Sequence, residues 1–174
     1  MKNILLATDF SANAQIAAIY AAELAYRLKG RLIIFHALSF SPEMLEEENV
    51  DKKKSPEGLA QQKLDIIAQE IHSRFGISVS RLIKPGTPET EIPAMAQHLK
   101  AELIVVGTQG AKQELGFVGT VAATLLRKND FAVVCVPPAA LLNFTQQLAL
   151  MVEKEQNLCN TTGLGFLSNL RLDS

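Results

Sequence analysis

Short apolar runs alternate with helix-forming segments along the chain, and this alternation restricts the possible folds more than any other feature. The runs occupy residues 4–8, 32–38, 79–83, 103–106 and 131–136. Between them, apolar residues recur at helical spacing in residues 12–28 and 59–75, from Pro88 onwards, and from Val118 or Gly119 onwards. A connection one helix long joins neighbouring strands in parallel, with a right-handed crossover. The sequence therefore predicts an α/β fold, a doubly wound five-stranded parallel sheet with helices on both faces.

Residues that begin or end helices lie between these segments. Asp9 and Ser11 follow the first strand and offer N-caps for the first helix. Thr87 is a cap for the third helix, and Pro88 suits its first position. Gly76 ends the second helix. The third strand alternates apolar and polar residues, which indicates a position nearer an edge of the sheet.

The last part of the chain does not continue the alternation. We interpret residues 1–138 as one domain and residues 139–174 as a C-terminal extension. Residues 147–153 repeat the pattern of residues 3–9, in which one polar residue precedes five mostly apolar residues and an acid. The extension is therefore either the truncated start of a second copy of the domain, or an extra element at the sheet edge followed by a poorly ordered tail.

The charge balance and the cysteine usage exclude several classes of function. The chain has 174 residues with 17 basic and 18 acidic side chains, so no basic excess attracts nucleic acid or a membrane surface. No apolar run has the length of a transmembrane helix, and the start of the chain lacks a signal-peptide pattern. Cys135 and Cys159 are isolated, which argues against a zinc site or a disulfide framework. We therefore expect a cytoplasmic protein.

A glycine turn after the fourth strand indicates a ligand site. Gly107 and Gly110 bracket this turn, and Gly119 with Thr120 follow at the start of the next helix. Glycines let the backbone approach a ligand, and the N–H groups of a helix N-terminus face negative charge. The same glycines are also compatible with a simple chain reversal. The pattern thus favours a phosphate site and leaves a purely structural turn as the alternative.

The predicted topology places further candidates beside this turn, because ligands of open parallel sheets bind at the carboxyl ends of the strands. Asp9 follows the first strand and can accept hydrogen bonds from adenine, ribose or a metal-bound water, or cap the first helix. The backbone from Gly107 to Gly110 can lie along ribose and the first phosphates. Thr120, with the N–H groups of Gly119 and Val121, can hold the outer phosphates.

Four motifs in this order resemble the universal stress protein family. They are Thr8-Asp9-Phe10-Ser11, residues 33–37 of the second strand, Gly86-Thr87-Pro88, and residues 104–110. The resemblance covers about residues 2 to 137. It implies a five-stranded fold like that of the adenine nucleotide α-hydrolases. It also implies homodimers formed through the last strand, here residues 133–136.

Members of this family that bind ATP carry the pattern Gly-x2-Gly-x9-Gly-Ser/Thr. Carried over, Asp9 and Ala37 border adenine, Gly107 and Gly110 line ribose and phosphate, and residues 119–121 hold the phosphates, with or without Mg²⁺. This chain departs from the pattern in three ways. Eight residues separate Gly110 from Gly119 instead of nine, Gln109 replaces an Arg or His, and Ala37 replaces a larger aliphatic residue.

The resemblance implies a regulatory module that binds ATP and acts through dimerisation and contacts with partners. The alternative is a dimeric stress or interaction protein that binds no nucleotide, with glycines that only make turns. We do not expect an enzyme, since the sequence contains no P-loop and no Ser/His/Asp set. The three histidines, His36, His72 and His98, are scattered and have no metal-ligand company.

Overall fold

The structure, a computed structural model, describes residues 2–39, 55–109, 119–128 and 131–138. In these ranges the chain forms β1 (Asn3–Ala7), α1 (Ala12–Arg27), β2 (Arg31–Leu38), α2 (Pro56–Phe75), β3 (Val79–Pro85), α3 (Pro88–His98), β4 (Leu103–Gly107), α4 (Thr120–Lys128) and β5 (Val133–Val136). All four strand pairings are parallel, and the strand order is β3-β2-β1-β4-β5. The predicted five-stranded parallel sheet is confirmed, as is the edge position of β3. The extension at residues 139–174 lies outside the described residues.

Helices cover both faces of the sheet, as predicted. Helices α1 and α2 pack against one face, where Ile4 and Leu6 of β1 contribute to the core. Helices α3 and α4 pack against the other face, which includes Leu5 and Ala7. Because successive side chains of a strand point to opposite faces, a strand covered on both sides must be apolar throughout. This explains why the central strands read as continuous apolar runs.

Alanines bring α1 close to the sheet. Ala17, Ala21 and Ala25 are completely buried, and their small side chains let the helix backbone approach the strands. Of the two candidate caps, Ser11 is the N-cap: its Oγ accepts a hydrogen bond from the Ala14 N–H at 3.2 Å. The helix thus starts where the sequence predicts, and its first turn lies directly behind the end of β1.

The ends of the other described elements differ slightly from the predictions. Helix α2 begins three residues earlier than expected because Ser55 caps it, accepting from the Gly58 N–H at 3.1 Å. It ends at Gly76, which has a left-handed φ of 66°. Thr87 occupies the N-cap position of α3, but its hydroxyl donates to the Thr90 hydroxyl at 3.0 Å and makes no capping hydrogen bond.

Candidate functional site

A crevice is expected where the sheet order reverses, between β1 and β4. These two strands are neighbours, but the chain continues from β1 to β2 on one side and from β4 to β5 on the other. The connections therefore diverge at the carboxyl ends of β1 and β4, which is where open α/β sheets bind ligands. Asp9 follows β1 and Gly107 ends β4, so both predicted residues lie at these carboxyl ends.

Side chains hold the end of β1 in a defined turn. The buried Thr8 donates its N–H to the Phe35 carbonyl at 3.0 Å and accepts the Phe10 N–H on its hydroxyl at 3.1 Å. Its carbonyl lies 2.8 Å from His36 Nδ1, which must carry the proton because a carbonyl only accepts. The exposed Asp9 accepts the Ser11 N–H on Oδ1 at 3.0 Å. Asp9 therefore starts the turn, and Ser11 caps the helix.

An aromatic contact fixes the residue after Asp9. Phe10 has a φ of 63°, a left-handed conformation that costs a non-glycine residue about 1–2 kcal/mol. Its ring lies 4.4 Å from the His36 ring between centroids, and Lys63 Nζ lies 5.1 Å from the centroid of the Phe10 ring. These contacts offset the backbone cost and set the direction in which the chain leaves β1.

Contacts with distant elements hold the end of β4. Gly107 pairs with Val136 of β5, and the Thr108 N–H donates to the Val136 carbonyl at 3.0 Å. From α1, Asn13 Nδ2 donates to the Gln109 carbonyl at 3.2 Å. Thr108 and Gln109, the described start of the turn after β4, therefore lie between α1 on one side and β5 on the other.

The start of α4 returns to the end of β4. The Gly119 N–H donates to the Thr108 carbonyl at 2.6 Å, and the Gly119 carbonyl accepts the Ala123 N–H at 3.0 Å. The first N–H groups of a helix have no acceptor within the helix, and they give this end a partial positive charge. Thr120 is exposed in this first turn, and Val121 is half-buried. The arrangement suits an anion, although the Gly119 N–H itself is engaged by Thr108.

The remaining predicted site residues lie on β2 and in the turn after β4. The ladder pairs Ala7, the last residue of β1, with Phe35, and Ala37 lies two residues further along β2, beyond the end of β1. Ala37 is buried among the residues that face α3 and α4. At the carboxyl ends of the strands, the structure thus brings together six predicted residues: Asp9, Ala37, Gly107, Gly119, Thr120 and Val121. Gly110 lies outside the described residues.

The turn between β3 and α3 lies against the carboxyl end of β2. The Gly86 N–H donates to the Leu38 carbonyl at 3.0 Å, and Gly86 has a φ of 140°, which favours glycine. A Cβ there would lie 2.6 Å from Glu91 Cγ, and the Glu91 carboxylate pairs with Lys84. The Gly86-Thr87-Pro88 motif therefore has a structural explanation at the end of β2.

Asn13 is a residue at this site that the sequence reasoning missed. It is 6% exposed, and its Oδ1 has no hydrogen-bond partner among the described residues. A Cβ on Gly107 would lie 2.7 Å from Asn13 Nδ2, so the amide fills the space that the glycine leaves. Asn13 precedes Ala17 by one helical turn, on the buried stripe of α1. A polar residue on an otherwise apolar stripe was the signal that would have found it.

The described titratable groups include neither an activated cysteine nor a metal-binding cluster. Cys135 is buried in β5, and burial raises the pKa of its thiol to about 11, which makes it a poor nucleophile at neutral pH. Within residues 2–39, 55–109, 119–128 and 131–138, no group of three or more His, Cys, Asp or Glu residues is arranged to hold a metal ion. In the same ranges, no helix is both long and apolar enough to span a bilayer.

Comparison with known proteins agrees with this fold. Residues 1–137 match the model of the universal stress protein family. No curated protein matches the sequence. Among solved structures, the universal stress protein UspA from Lactobacillus plantarum is 22% identical, with a TM-score of 0.67 and coverage of 78% of this chain and 97% of that chain.

Two further solved structures contain nucleotides. A universal stress protein in complex with cAMP is 24% identical, with a TM-score of 0.58 and coverage of 78% of this chain and 96% of that one. The universal stress protein from Archaeoglobus fulgidus in complex with dAMP is 20% identical, with a TM-score of 0.57 and coverage of 78% and 97%. These likenesses establish the fold, and the family match extends over most of the sequence. The chain belongs to the universal stress protein family.

Proposed function

We propose that this protein binds an adenine nucleotide, ATP with or without Mg²⁺, at the carboxyl ends of β1 and β4. It would act as a regulatory module through homodimerisation and contacts with partners, not as an enzyme, in the cytoplasm. The observation that carries the proposal is the 2.6 Å hydrogen bond from the Gly119 N–H to the Thr108 carbonyl. This bond puts the N-terminus of α4 beside the end of β4, where phosphates can lie between a helix end and a glycine turn.

Each part of the nucleotide has a partner in this proposal. Asp9 and Ala37 border adenine, and the turn that contains Gly107 and Gly110 lines ribose and the first phosphate. The Thr120 hydroxyl and the N–H groups of residues 120 and 121 hold the outer phosphates. The engaged Gly119 N–H positions the helix end instead of binding phosphate directly.

The ligands of related structures support an adenine nucleotide. One solved universal stress protein is in complex with cAMP and another with dAMP. Both ligands combine adenine with a single phosphate, which is the part that Asp9, Ala37 and the β4 turn would hold. The preference for ATP rests on this chain's own Gly119-Thr120 pair at the start of α4.

Strand β5 is the proposed dimer interface. It is at one edge of the sheet in the described residues, and an edge strand presents unpaired N–H and carbonyl groups to a second chain. Because the Thr108 N–H donates to the Val136 carbonyl, this edge is directly bonded to the turn after β4. A nucleotide that orders the turn would therefore change the surface near the dimer edge.

Two contacts are also compatible with the alternative, a dimeric interaction protein that binds no nucleotide. The Gly119 N–H already has an acceptor, and the space beside Gly107 is already filled by Asn13. Both glycines can thus be explained by contacts within the protein. A direct binding measurement separates the two functions.

The test is a calorimetric titration of nucleotide-stripped protein with ATP and Mg²⁺. We expect saturable binding of one ATP per chain, with ATP recovered unhydrolysed afterwards. Thr120→Val, which replaces the hydroxyl by a methyl group, should weaken binding about tenfold, since a hydrogen bond to a charged group is worth about 1.5–3 kcal/mol. Thr124→Val, one turn further along α4, is the matched control and should bind ATP normally.

Two outcomes would contradict this proposal. Absence of binding up to about 1 mM ATP, which corresponds to about −4 kcal/mol, would favour the nucleotide-independent dimer. Equal weakening by both threonine variants would show that the phosphates do not lie at the first turn of α4. The oligomeric state, measured by sedimentation with and without ATP, tests the dimer separately.

A further inference from the structure

We propose that Asn13 is a positioning residue of the nucleotide site, which sets the shape of the turn after β4 from α1. The inference rests on the proposed function, because its main readout is nucleotide affinity. Asn13 belongs to the first turn of α1, and its amide spans the gap between this helix and the Gln109 carbonyl. The partner residues are 96 positions apart in the chain, so this contact joins two separate parts of the fold.

Helix α1 is a rigid base for this contact. Its buried alanines lie directly on the sheet, and Ser11 caps its first turn. Asn13 itself is 6% exposed, so its amide has little room to adopt another rotamer. The Gln109 carbonyl is therefore held at a fixed place by a side chain whose own position is fixed.

The direction of this carbonyl matters for an anionic ligand. A carbonyl oxygen carries partial negative charge, which opposes a phosphate nearby. With Asn13 Nδ2 as its donor, the Gln109 carbonyl is turned towards α1. Without this donor, the carbonyl loses the partner that keeps it there, and the turn can present the oxygen to the phosphates.

Asn13 also gives the reason for glycine at position 107. Among the described glycines, Gly76 and Gly86 have positive φ values, and Gly107 does not. Its backbone conformation is therefore open to other residues. A Cβ at this position would lie 2.7 Å from Asn13 Nδ2 and 3.2 Å from Asn13 Cγ, which a fixed amide cannot accommodate. Gly107 and Asn13 are thus a complementary pair.

The unpaired Oδ1 separates positioning from stability. Among the described residues this buried oxygen has no donor, which is unfavourable in the folded protein. Replacing Asn13 by alanine removes this unfavourable group together with the hydrogen bond to Gln109. The two effects oppose each other, so the melting temperature should change little while the turn loses its anchor.

The experiment measures ATP affinity by calorimetry and the melting temperature of each nucleotide-free variant. Asn13→Ala should weaken ATP binding about five- to tenfold and keep the melting temperature within about 2 °C of the unchanged protein. Gln15→Ala removes an exposed amide from the same helix and should change neither quantity. If Asn13→Ala does not fold, Asn13→Ser, whose side chain is shorter than that of asparagine, replaces it with the same expectations.

A double variant tests the pair. Gly107→Ala should lower both the melting temperature and the affinity, because its Cβ meets the Asn13 amide. In Asn13→Ala/Gly107→Ala the amide is gone, and the nearest remaining neighbour of the new Cβ is the residue 13 backbone carbon at 3.4 Å. The melting temperature of the double variant should return to within about 2 °C of that of Asn13→Ala.

The outcomes separate this inference from the proposed function. ATP binding that is equally tight in Asn13→Ala and the unchanged protein overturns the role of Asn13 and leaves the proposed function intact. A large fall in melting temperature that accompanies the loss of affinity also overturns it, because Asn13 is then a general structural residue. Absence of ATP binding by the unchanged protein overturns both.

Discussion

The turns that leave β1 and β4 lie side by side, but different kinds of contact hold them. Within the turn after β1, hydrogen bonds join residues two positions apart, from the Phe10 N–H to Thr8 and from the Ser11 N–H to Asp9, and Thr8 is also bonded to the adjacent strand β2. After β4, the bonds reach across the fold, from Asn13 to Gln109 and from Thr108 to Val136. The first turn is held by near neighbours in the chain and by the interior strand β2, and the second by helix α1 and the edge strand β5.

This difference bears on how a ligand bound between the two turns would act. The turn after β1 can keep its shape when α4 or β5 moves, because its hydrogen bonds lie within the turn or reach β2 in the interior of the sheet. The turn after β4 is bonded to α1 and to the edge strand β5, so a change in its shape alters contacts in both. The β4 side is therefore the responsive part of the site, and the β1 side is the fixed part.

Gly107→Val should have the largest effect on stability. Valine suits a strand, so the expected loss comes from crowding, first of all against Asn13 Nδ2, which would lie 2.7 Å from a Cβ at this position. We expect the free energy of unfolding to fall by about 3 kcal/mol, the upper part of the range for overpacking. Urea denaturation of both proteins measures the change.

A second glycine provides the control for this crowding. Gly76 has a φ of 66°, and a Cβ added there would meet nothing within 4 Å, so Gly76→Ala is affected by backbone conformation alone. It should cost about 1 kcal/mol. If Gly107→Val costs no more than Gly76→Ala, the packing between α1 and β4 is looser than the structure indicates.

Phe10→Ala is the corresponding change at the fixed turn and should have an intermediate effect. It removes the ring that packs on His36 at 4.4 Å and leaves a non-glycine residue at a φ of 63°. Because Phe10 is half-buried, we expect a loss of about 2 kcal/mol, below the range for fully buried phenylalanines. Denaturation in urea gives this value too.

Tyr26→Ala deletes another aromatic ring and serves as the comparison. Tyr26 is 58% exposed on α1, and its removal should change stability by less than about 0.5 kcal/mol. Similar costs for the two deletions would show that the contact between Phe10 and His36 does not hold the turn after β1.

The same difference explains which features the sequence predicts. The five strands, the four helices and the cap at Ser11 depend on patterns within short stretches, and the structure confirms them. The sequence also places Asp9 and Gly107 together at the carboxyl ends of the strands, since the topology alone decides which strand ends are neighbours. The turn after β1 is partly in this class: the bonds from Phe10 to Thr8 and from Ser11 to Asp9 join near neighbours, whereas the bonds of Thr8 to β2 depend on how the two strands pair.

The turn after β4 was not predictable in the same way. The sequence places Gly107 in a glycine turn, but it does not show that the space beside this glycine is occupied by Asn13. Nor does it show that the Gly119 N–H donates to Thr108. Both contacts depend on how α1 and α4 pack against the sheet. For Thr87, the cap position was predicted correctly but the hydroxyl makes a different hydrogen bond.

Ser11→Ala should have the smallest of the three effects and tests whether the two turns are independent. The change removes the oxygen that accepts the Ala14 N–H, and loss of an N-cap costs about 1 kcal/mol. Ser11 is two residues before Asn13, so the variant weakens the same helical turn without touching the Gln109 carbonyl. We expect lower stability in urea and an ATP affinity within about twofold of the unchanged protein.

Ser11→Asp retains a side-chain oxygen at the cap and should restore most of the stability. The ATP affinities of Ser11→Ala and Asn13→Ala then show whether the two turns are independent, because the two variants alter nearby positions of one helix. If Ser11→Ala weakens ATP binding as strongly as Asn13→Ala, the start of α1 moves as one unit and the fixed turn controls the responsive one. If only Asn13→Ala weakens binding, the influence of α1 on the β4 side passes through a single amide.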